Sequence, residues 1–374
     1  MTTLNKITAA LFALSTLTCA GSYANDAEDG IAIGGTVRAN YQYKEYSDQS
    51  KDKAGDLKFD VLAIKFNGSL NGIGLASEYR FYEGYHMLLN AYAYGEIGEQ
   101  IQATIGLTKV PFGNPGYISN SFWFGLPYYL GFEDDHDMGA TLQFSHGNWT
   151  TDLGAFKNAE YSPSNSQRYS TDIYEGTING TQYNNEETNQ LNLRETYLIE
   201  HASGQSIVGA SVEWGQIYNT ETGDNGDRYA LALHLDSSIN DWNLQLQAIQ
   251  YEYDAADASN PNKIALSAFD WQYEVASKGQ IYSLNIAKTI PTSFGSIKVY
   301  NDFGMMTPDV DDSSYDDSLM NVLGMGISAG PTYTYVDLIS GKNMYAAGIN
   351  DHIGLPQADD GWDHRININL GYYF

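Results

Sequence analysis

The last thirteen residues of the chain, 362–374, alternate between apolar and polar side chains. One parity is apolar and carries Ile366, Ile368, Leu370, Tyr372 and Phe374. The other parity carries Asn367, Asn369, Gly371 and Tyr373. Successive side chains of a β-strand point to opposite faces, so this segment predicts a strand with one apolar face. Such a face covers the core of a soluble sandwich or contacts lipid around a membrane barrel, and the rest of the chain has to distinguish the two.

The same two-residue period divides the chain from Ile31 to Phe374 into segments of about ten to fifteen residues. Clear examples are residues 31–43, 100–109, 137–146, 227–236 and 242–253. These lengths suit a tilted strand that crosses a bilayer, whereas strands of soluble proteins are usually about five or six residues long. After residue 24 no segment approaches the roughly 18 consecutive apolar residues of a membrane helix, so a closed barrel is the remaining spanning architecture.

The predicted connections alternate between short and long. Short connections rich in turn-forming residues lie at 71–72, 98, 147–148, 202–205, 239–241, 291–295 and 330–331. Longer polar connections lie at 47–55, 110–136, 158–188, 220–226, 306–318 and 342–361. Short turns at one rim and long loops at the other are typical of an outer-membrane barrel.

The segment 254–279 holds a further strand-like pattern, KIALSAFDWQYEVAS. If this segment were a barrel strand, the count would be seventeen and the acidic 306–318 connection would fall at the short-turn rim. We therefore assign the segment to a long loop or a strand extension. The prediction is then an all-β fold, a transmembrane antiparallel barrel of about sixteen strands with short periplasmic turns and long extracellular loops. Because an unpaired strand edge is costly in hydrocarbon, the final strand, 362–374, must pair with the first. Its aromatic end is expected in an interfacial girdle.

The first residues have the layout of a secretory signal. One Lys precedes an apolar run from Ile7 to about Cys19, and small residues lead to a predicted cleavage site after Ala24. We therefore predict a signal peptide at 1–24 and a single barrel domain at 25–374. Cleavage would remove the only cysteine, so no disulfide is expected. Few residues separate Ala24 from the first strand, which argues against an N-terminal plug domain.

Composition and charge narrow the function classes. The chain has 46 acidic and 19 basic residues and a net charge of −27, which disfavours binding to nucleic acid. The mean hydropathy is −0.37, and this does not exclude a barrel, because lipid-facing and lumen-facing residues cancel along each strand.

Two segments carry a family resemblance. IGLTKVPFG at 105–113, followed by HDMGATLQFSHGNWTTDLGAFKN at 136–158, is similar to Gram-negative outer-membrane porins of the phosphate-selective O and P type. The terminal Phe374 with its alternating apolar positions resembles the signal read by the outer-membrane assembly machinery. The resemblance implies a trimeric diffusion channel with a loop folded inward. The strands lack an obvious ladder of Arg and Lys and the loops are acidic, so anion preference is not carried over.

The 110–136 loop is the candidate constriction. Its aromatic block comprises Phe122, Trp123, Phe124, Tyr128 and Tyr129, and its acidic end comprises Glu133, Asp134, Asp135 and Asp137. Such an apolar loop gains by burying its rings against the barrel wall, and the acids would then line the narrowing and favour cations. The alternative is that the rings pack at a trimer seam and the acids are a solvated rim.

Strand parity also predicts charges that face the lumen. The basic ones are Arg38, Arg80, Arg194, Lys298 and Arg365. The acidic ones are Glu78, Glu96, Glu213, Asp302 and Asp337. Opposed rows of acid and base would orient polar solutes, although many of these residues would simply face water without individual importance.

The sequence contains no convincing catalytic or cofactor site. The G-x-S-x-G pattern at 326–330 leads into Pro331 and another strand, so it does not form a nucleophile elbow. The acidic clusters at 309–317 and 351–363 are either solvated charge or, as a hypothesis, sites where divalent cations bridge the loops to lipopolysaccharide.

The predicted function is a Gram-negative outer-membrane porin, a water-filled homotrimeric channel for passive diffusion of small hydrophilic solutes and ions without preference for anions. The alternatives are a channel specific for a solute such as a carbohydrate, and a non-conducting barrel that acts as an adhesin or membrane enzyme.

Overall fold

Sixteen strands form a closed antiparallel barrel in this computed structural model, which describes residues 30–256, 258–348, 351–357 and 361–374. The barrel strands are Gly30–Lys44, Asp56–Leu70, Ile73–Phe81, His86–Glu96, Ile101–Lys109, His136–His146, Trp149–Ala159, Asn185–His201, Gly204–Asn219, Asn225–Ile239, Trp242–Asp254, Lys278–Thr292, Gly295–Pro308, Ser318–Ala329, Thr332–Lys342 and Asp363–Tyr373. The predicted strand number is thereby confirmed. The predicted signal peptide, 1–24, lies outside the described residues.

The last strand closes the barrel against the first, as predicted from its alternating pattern. Asp363–Tyr373 pairs antiparallel with Gly30–Lys44 on one side and with Thr332–Lys342 on the other. The backbone N–H of Gly35 donates to the Phe374 carbonyl at 2.8 Å, and the Phe374 N–H donates to the Gly35 carbonyl at 3.0 Å. No strand edge is left open in the ring, which is the requirement for a barrel in lipid.

The outer face of the barrel is apolar and the inner face carries the polar residues. In Asn225–Ile239, the side chains of Leu231 and Leu233 are 47% and 68% exposed, whereas Ala230 and Ala232 on the other parity are buried. This alternation continues around the barrel, where exposed Leu, Ile, Val and aromatic residues cover the outside. Because such a belt is stable only against lipid, the predicted transmembrane barrel is confirmed.

Aromatic residues mark the short-turn rim. Trp149 and Trp242 each follow a short turn, and Tyr372 and Phe374 end the last strand on its exposed parity. The rings of Trp149 and Tyr197 lie 4.6 Å apart, between centroids. Their arrangement matches the interfacial girdle expected at one edge of the apolar belt.

The prediction missed one connection at the long-loop rim, since it placed none between 71–72 and 98. Residues 82–85, at the long-loop rim, form a tight connection between Ile73–Phe81 and His86–Glu96. The Tyr82 N–H donates to the Tyr85 carbonyl at 2.9 Å, and the two rings stack with centroids 4.9 Å apart. These contacts let four residues make a turn that the alternation rule does not predict.

The strand-like 254–279 segment folds as an inner hairpin, as its assignment to a loop predicted. Its strands, Lys263–Ala268 and Trp271–Ala276, pair with each other and not with the barrel. They belong to a four-stranded sheet with the short strands Asp172–Ile173 and His352–Ile353. Three long loops therefore meet in one separate sheet.

The remaining elements are short. A two-stranded ribbon joins Gly176–Ile178 and Thr181–Tyr183, an α-helix spans Asp48–Asp52, and a 3-10 helix spans Leu126–Leu130. Within the described residues, no helix is both long and apolar enough to cross a bilayer.

The hydrophobic core lies inside the barrel. The largest cluster of buried apolar residues combines Tyr129 and Leu130 of the 110–136 loop with Leu266 and Tyr273 of the inner hairpin, against Ile281 of the wall. The barrel wall alone has too wide an interior for its side chains to fill, so the inward loops supply part of the missing volume.

Candidate channel constriction

The 110–136 loop leaves and re-enters the wall at neighbouring points and crosses the interior between them. The backbone N–H of Val110 donates to the Asp135 carbonyl at 2.8 Å, which joins the two ends of the loop. Leu126–Leu130 approaches the opposite wall, where Gly304 allows close contact because a Cβ there would lie 2.7 Å from the Leu126 Cβ.

The tip of the loop is held by two carboxylates on the opposite wall. Asp302 accepts hydrogen bonds from the backbone N–H of Asn120 at 2.7 Å, from its side-chain amide at 2.8 Å, and from the N–H of Ser121 at 2.9 Å. Asp337 accepts from the N–H of Phe122 at 3.2 Å and from the hydroxyl of Tyr300 at 2.6 Å. The tip therefore uses these acids as acceptors for N–H groups that no strand satisfies.

Polar side chains of the wall fix the first half of the loop. Gln247 accepts from the Asn114 N–H at 2.8 Å, and Gln245 donates to the Tyr117 carbonyl at 2.9 Å. Asn285 donates from its side-chain amide to the Ile118 carbonyl. The loop is thus bound to the wall by directed bonds and has one well-defined path.

The aromatic block divides into buried and partly exposed rings. Trp123, Tyr128 and Tyr129 are 7%, 1% and 2% exposed, whereas Phe122 and Phe124 keep partial exposure. Tyr129 donates from its hydroxyl to the Trp123 carbonyl at 2.8 Å. The buried three serve packing, whereas Phe122 and Phe124 keep part of their ring surface accessible, Phe124 while it stacks on Tyr128 with centroids 4.0 Å apart.

Glu133 is a buried residue of the 110–136 loop. It accepts from the hydroxyl of Ser119 at 3.0 Å and from the N–H of Gly125 at 2.9 Å. Burial raises its pKa to about 8, and these two hydrogen bonds only partly oppose that rise. Glu133 therefore acts as a buried acceptor within the loop.

Asp134 is buried beside a cation. Lys109 Nζ lies 2.8 Å from its carboxylate, and Tyr169 donates a hydroxyl hydrogen bond to the same group. Burial acts to raise the pKa of Asp134, but Lys109 outweighs that effect and the net pKa lies below its ordinary value. Asp134 is therefore a buried anion paired with Lys109.

Asp135 and Asp137 lie beside Asp172 of the 160–184 loop. The three carboxylates each offer an oxygen, and these oxygens lie within 4.8 Å of one another. Burial, followed by the charges of Asp172 and Glu187, raises the pKa of Asp135. The sequence placed Asp135 and Asp137 in the predicted constriction but did not indicate Asp172. Asp172 lies 35 positions after Asp137 in a different loop, and no periodicity of the sequence indicates that the two meet.

The predicted charges on the first three strands form a connected group. Arg38 Nε lies 2.7 Å from Asp60, and its guanidinium carbon lies 5.3 Å from the centre of the Phe122 ring. Arg80 Nε lies 2.6 Å from Glu78. Arg38 meets the tip of the 110–136 loop close to Asp337, because only the last strand separates Gly30–Lys44 from Thr332–Lys342 in the ring.

Arg365 joins this group from the last strand. Its guanidinium carbon lies 3.9 Å from the Trp123 ring centre, and it donates to Gln42 at 2.7 Å. Two other predicted lumen charges lie apart from the loop. Lys298 is half-buried, and Glu96 is exposed near the short-turn rim.

Two further predicted charges form ion pairs along the adjoining wall. Arg194 lies 2.8 Å from Asp152, and Glu213 lies 2.6 Å from Arg228. Arg228 and the loop anchors Gln247 and Asn285 were not among the predicted site residues, although each lies on the inward parity of its strand. Parity locates such residues, but only the fold shows which of them meet the loop.

The acidic clusters of the outer loops differ from the buried acids. Asp311, Asp312, Asp316 and Asp317 are exposed in the 309–317 connection. Asp351 accepts from Asn179 of the neighbouring loop at 3.2 Å. Residues 358–360 of the second predicted cluster lie outside the described residues, and ion bridging by either cluster stays a prediction.

No family model matches the chain, and no curated protein matches it in sequence. Its fold does match solved structures. OmpT of Vibrio cholerae in its trimer form has a TM-score of 0.59 at 12% identity over 93% of this chain and 100% of that one. Salmonella typhi OmpF in complex with daunomycin has a TM-score of 0.57 at 10% identity over 92% of this chain and 98% of that one. The anion-selective porin of Comamonas acidovorans has a TM-score of 0.54 at 13% identity over 93% and 100%. The chain therefore shares the sixteen-stranded barrel fold of these outer-membrane proteins.

Proposed function

We propose that this protein is an outer-membrane porin of a Gram-negative bacterium, a channel through which small hydrophilic solutes and ions diffuse passively. The observation that carries the proposal is a closed barrel, apolar outside and charged inside, whose lumen is crossed by a loop anchored to the opposite wall. A wall of this size encloses an aqueous path unless loops fill it completely.

The proposed path follows the first three strands. The side chains of Arg38, Asp60, Lys65 and Arg80 are 16%, 15%, 20% and 14% exposed although they lie inside the barrel. In contrast, the side chain of Arg228 on the other side of the loop is 3% exposed. Water therefore reaches the inner wall of the first three strands, whereas the ion pairs of Arg228 on the other side of the loop are excluded from it.

The proposed constriction lies between this wall and the 110–136 loop. Phe122 contacts Arg38 at 5.3 Å between ring centre and guanidinium carbon, so a solute passes beside this pair and not between its members. Glu133, Asp134, Asp135 and Asp137 are buried, so none of them contacts a passing ion, and only those that remain ionised, such as Asp134, act on it through their field. Cation preference stays a proposal, based on this acidic field and the net charge of −27.

Planar-bilayer recordings test the function. Insertion of the folded protein should give discrete conductance steps, and a salt gradient should give a reversal potential of the sign expected for cations. Exchange of the four loop acids for their amides should shift that potential toward zero, whereas Asp241→Asn at an exposed short turn should not. A folded, inserted barrel without conductance would contradict the proposal and favour an adhesin or membrane enzyme.

A solute-specific channel is the second candidate. The partly exposed rings of Phe122 and Phe124 would stack on an apolar face of a solute such as a sugar, and the inner hairpin narrows the approach. Block of the ion current by one sugar at concentrations where others have no effect would favour it.

The proposed partners are lipid and lipopolysaccharide, the assembly machinery that reads the C-terminal strand, and two further copies of the chain in a homotrimer. The trimer form of Vibrio cholerae OmpT supports the last of these. The resemblance to the phosphate-selective O and P type rests on residues 105–158 alone. We propose no nucleic-acid partner, no organic cofactor and no catalytic activity.

A further inference from the structure

A compact group of buried acids joins three parts of the chain. Asp135 ends the 110–136 loop, Asp137 lies at the start of His136–His146, and Asp172 lies in the 160–184 loop. They are 5%, 2% and 1% exposed. Each offers an oxygen to a set whose members lie within 4.8 Å of one another. That spacing is about twice a calcium–oxygen distance of 2.3–2.6 Å, so one ion placed between the oxygens could contact all three.

The hydrogen bonds of this group are incomplete. Among the described residues, Oδ1 of Asp135, of Asp137 and of Asp172 has no hydrogen-bond partner, although each atom is buried. Buried polar atoms are nearly always satisfied, so three such oxygens in one place indicate a missing ligand.

A fourth unpartnered oxygen lies on the same face. Ser267 of the inner hairpin pairs directly with Asp172, and directly opposed residues of antiparallel strands project to the same side of the sheet. Ser267 is fully buried, and its Oγ lacks a partner among the described residues. This hydroxyl comes from a different loop and does not belong to the acidic group, so it is a separate indication of a ligand.

The charge around the group is also unbalanced. Six carboxylates interact with one another in this region: Asp135, Asp137, Glu160, Asp172, Glu187 and Glu213. They are opposed by two guanidinium groups, since Arg168 lies 3.1 Å from Asp172 and Arg228 lies 2.7 Å from Glu187. An excess of buried negative charge is costly unless protons or a cation neutralise it.

We propose that Asp135, Asp137 and Asp172 form a binding site for a hard divalent cation, of which Ca²⁺ fits best. Calcium takes six to eight oxygen ligands in flexible geometry, which suits carboxylates from separate loops, whereas magnesium requires a tighter octahedron. The ion would tie the end of the 110–136 loop to the 160–184 loop and the inner hairpin. It would therefore fix the loops that narrow the lumen, and the inference holds whether or not the barrel conducts.

Calcium binding to the full, processed protein in detergent tests the site. The protein is folded in EDTA, equilibrated with CaCl₂ at about 5 mM, well above the roughly 0.1–1 mM dissociation constants of weak extracellular sites, and passed through a column run in the same calcium buffer, so that the calcium eluting with the protein above the buffer level is counted. Wild-type protein should retain about one calcium per chain, and its thermal unfolding midpoint should rise by about 1–3 °C over the EDTA sample.

The variants locate the ion. Asp172→Asn should lose both the retained calcium and the calcium-dependent shift, whereas Asp241→Asn at an exposed turn should keep both. Equal retention by wild type and Asp172→Asn would place the ion elsewhere, for instance in the outer acidic loops, and overturn the proposal. If Asp172→Asn does not fold, Asp137→Asn replaces it. A wild-type protein that retains no calcium and gains no stability overturns the site without any variant.

Discussion

At the scale of single residues, the acids inside this barrel differ in what they bind. Asp302 and Asp337 accept N–H groups of the loop tip, Asp134 pairs with Lys109, and Glu133 accepts two hydrogen bonds within the loop. All were predicted from strand parity or loop position as charges of the lumen. Through these contacts, Asp302 and Asp337 also hold the 110–136 loop in place.

Replacement of Asp302 by Ala should loosen the tip of the 110–136 loop. The change removes the acceptor of the Asn120 and Ser121 backbone N–H groups, and each buried donor left without an acceptor costs about 1–3 kcal/mol. The variant should show a lower unfolding midpoint, and in bilayers a larger or noisier conductance. Asp241→Ala, at an exposed turn, serves as the control. An unchanged midpoint together with unchanged current noise would contradict the anchoring role.

At the scale of elements, the inner hairpin shows that a segment with a strand-like residue pattern can belong to a loop and not to the barrel wall. Both faces of Lys263–Ala268 are buried, since Ile264 and Leu266 on one parity and Ala265 and Ser267 on the other are all inaccessible. A wall strand has one face in lipid and one in the lumen, so burial of both faces marks an element inside the barrel. The residue pattern alone did not show this, and the loop alternation decided it.

Removal of the inner hairpin should widen the channel without unfolding the barrel. The Ser277 N–H donates to the Asn262 carbonyl at 3.0 Å, so residues 263–276 can be replaced by two glycines that join adjacent ends. All sixteen wall strands keep their partners in this variant. We expect a barrel that still resists detergent unfolding at moderate temperature, with a higher single-channel conductance than wild type.

The length-matched control replaces the same fourteen positions with a flexible Gly-Ser segment. If conductance in both variants equals that of wild type, the hairpin does not limit the flow of ions. Loss of the folded barrel in both would show that the hairpin is needed for assembly of the wall.

At the scale of the whole molecule, the apolar outer belt determines where the barrel is stable. Leu233 lies near the middle of Asn225–Ile239 and is 68% exposed, with polar His234 buried on the opposite parity. An exposed Leu side chain is unfavourable in water, whereas in a bilayer it contacts hydrocarbon. The effect of a charge at this position on stability therefore shows whether the apolar belt contacts water or lipid.

Replacement of Leu233 by Arg should destabilise the protein in lipid by about 2–4 kcal/mol, the cost of a cation near the midplane of a barrel. The free energy of unfolding is measured by urea titration in lipid vesicles. Asp241→Arg, at the short-turn rim, should change it by less than about 1 kcal/mol, because charges near the interface cost little. Equal stability of Leu233→Arg and wild type would show that this face does not contact lipid.

The sequence by itself determined the wall of this protein. A period of two forces alternate side chains to opposite faces, and the alternation of short and long connections fixes which segments can be neighbours, so the strand number and the pairing of 362–374 with the first strand followed. The tertiary structure alone decided the interior. Which carboxylate meets Lys109, which meets the tip of the loop, and which three come together at Asp172 depend on loops that fold back across a closed ring. Such contacts join residues far apart in the chain, and no local period encodes them.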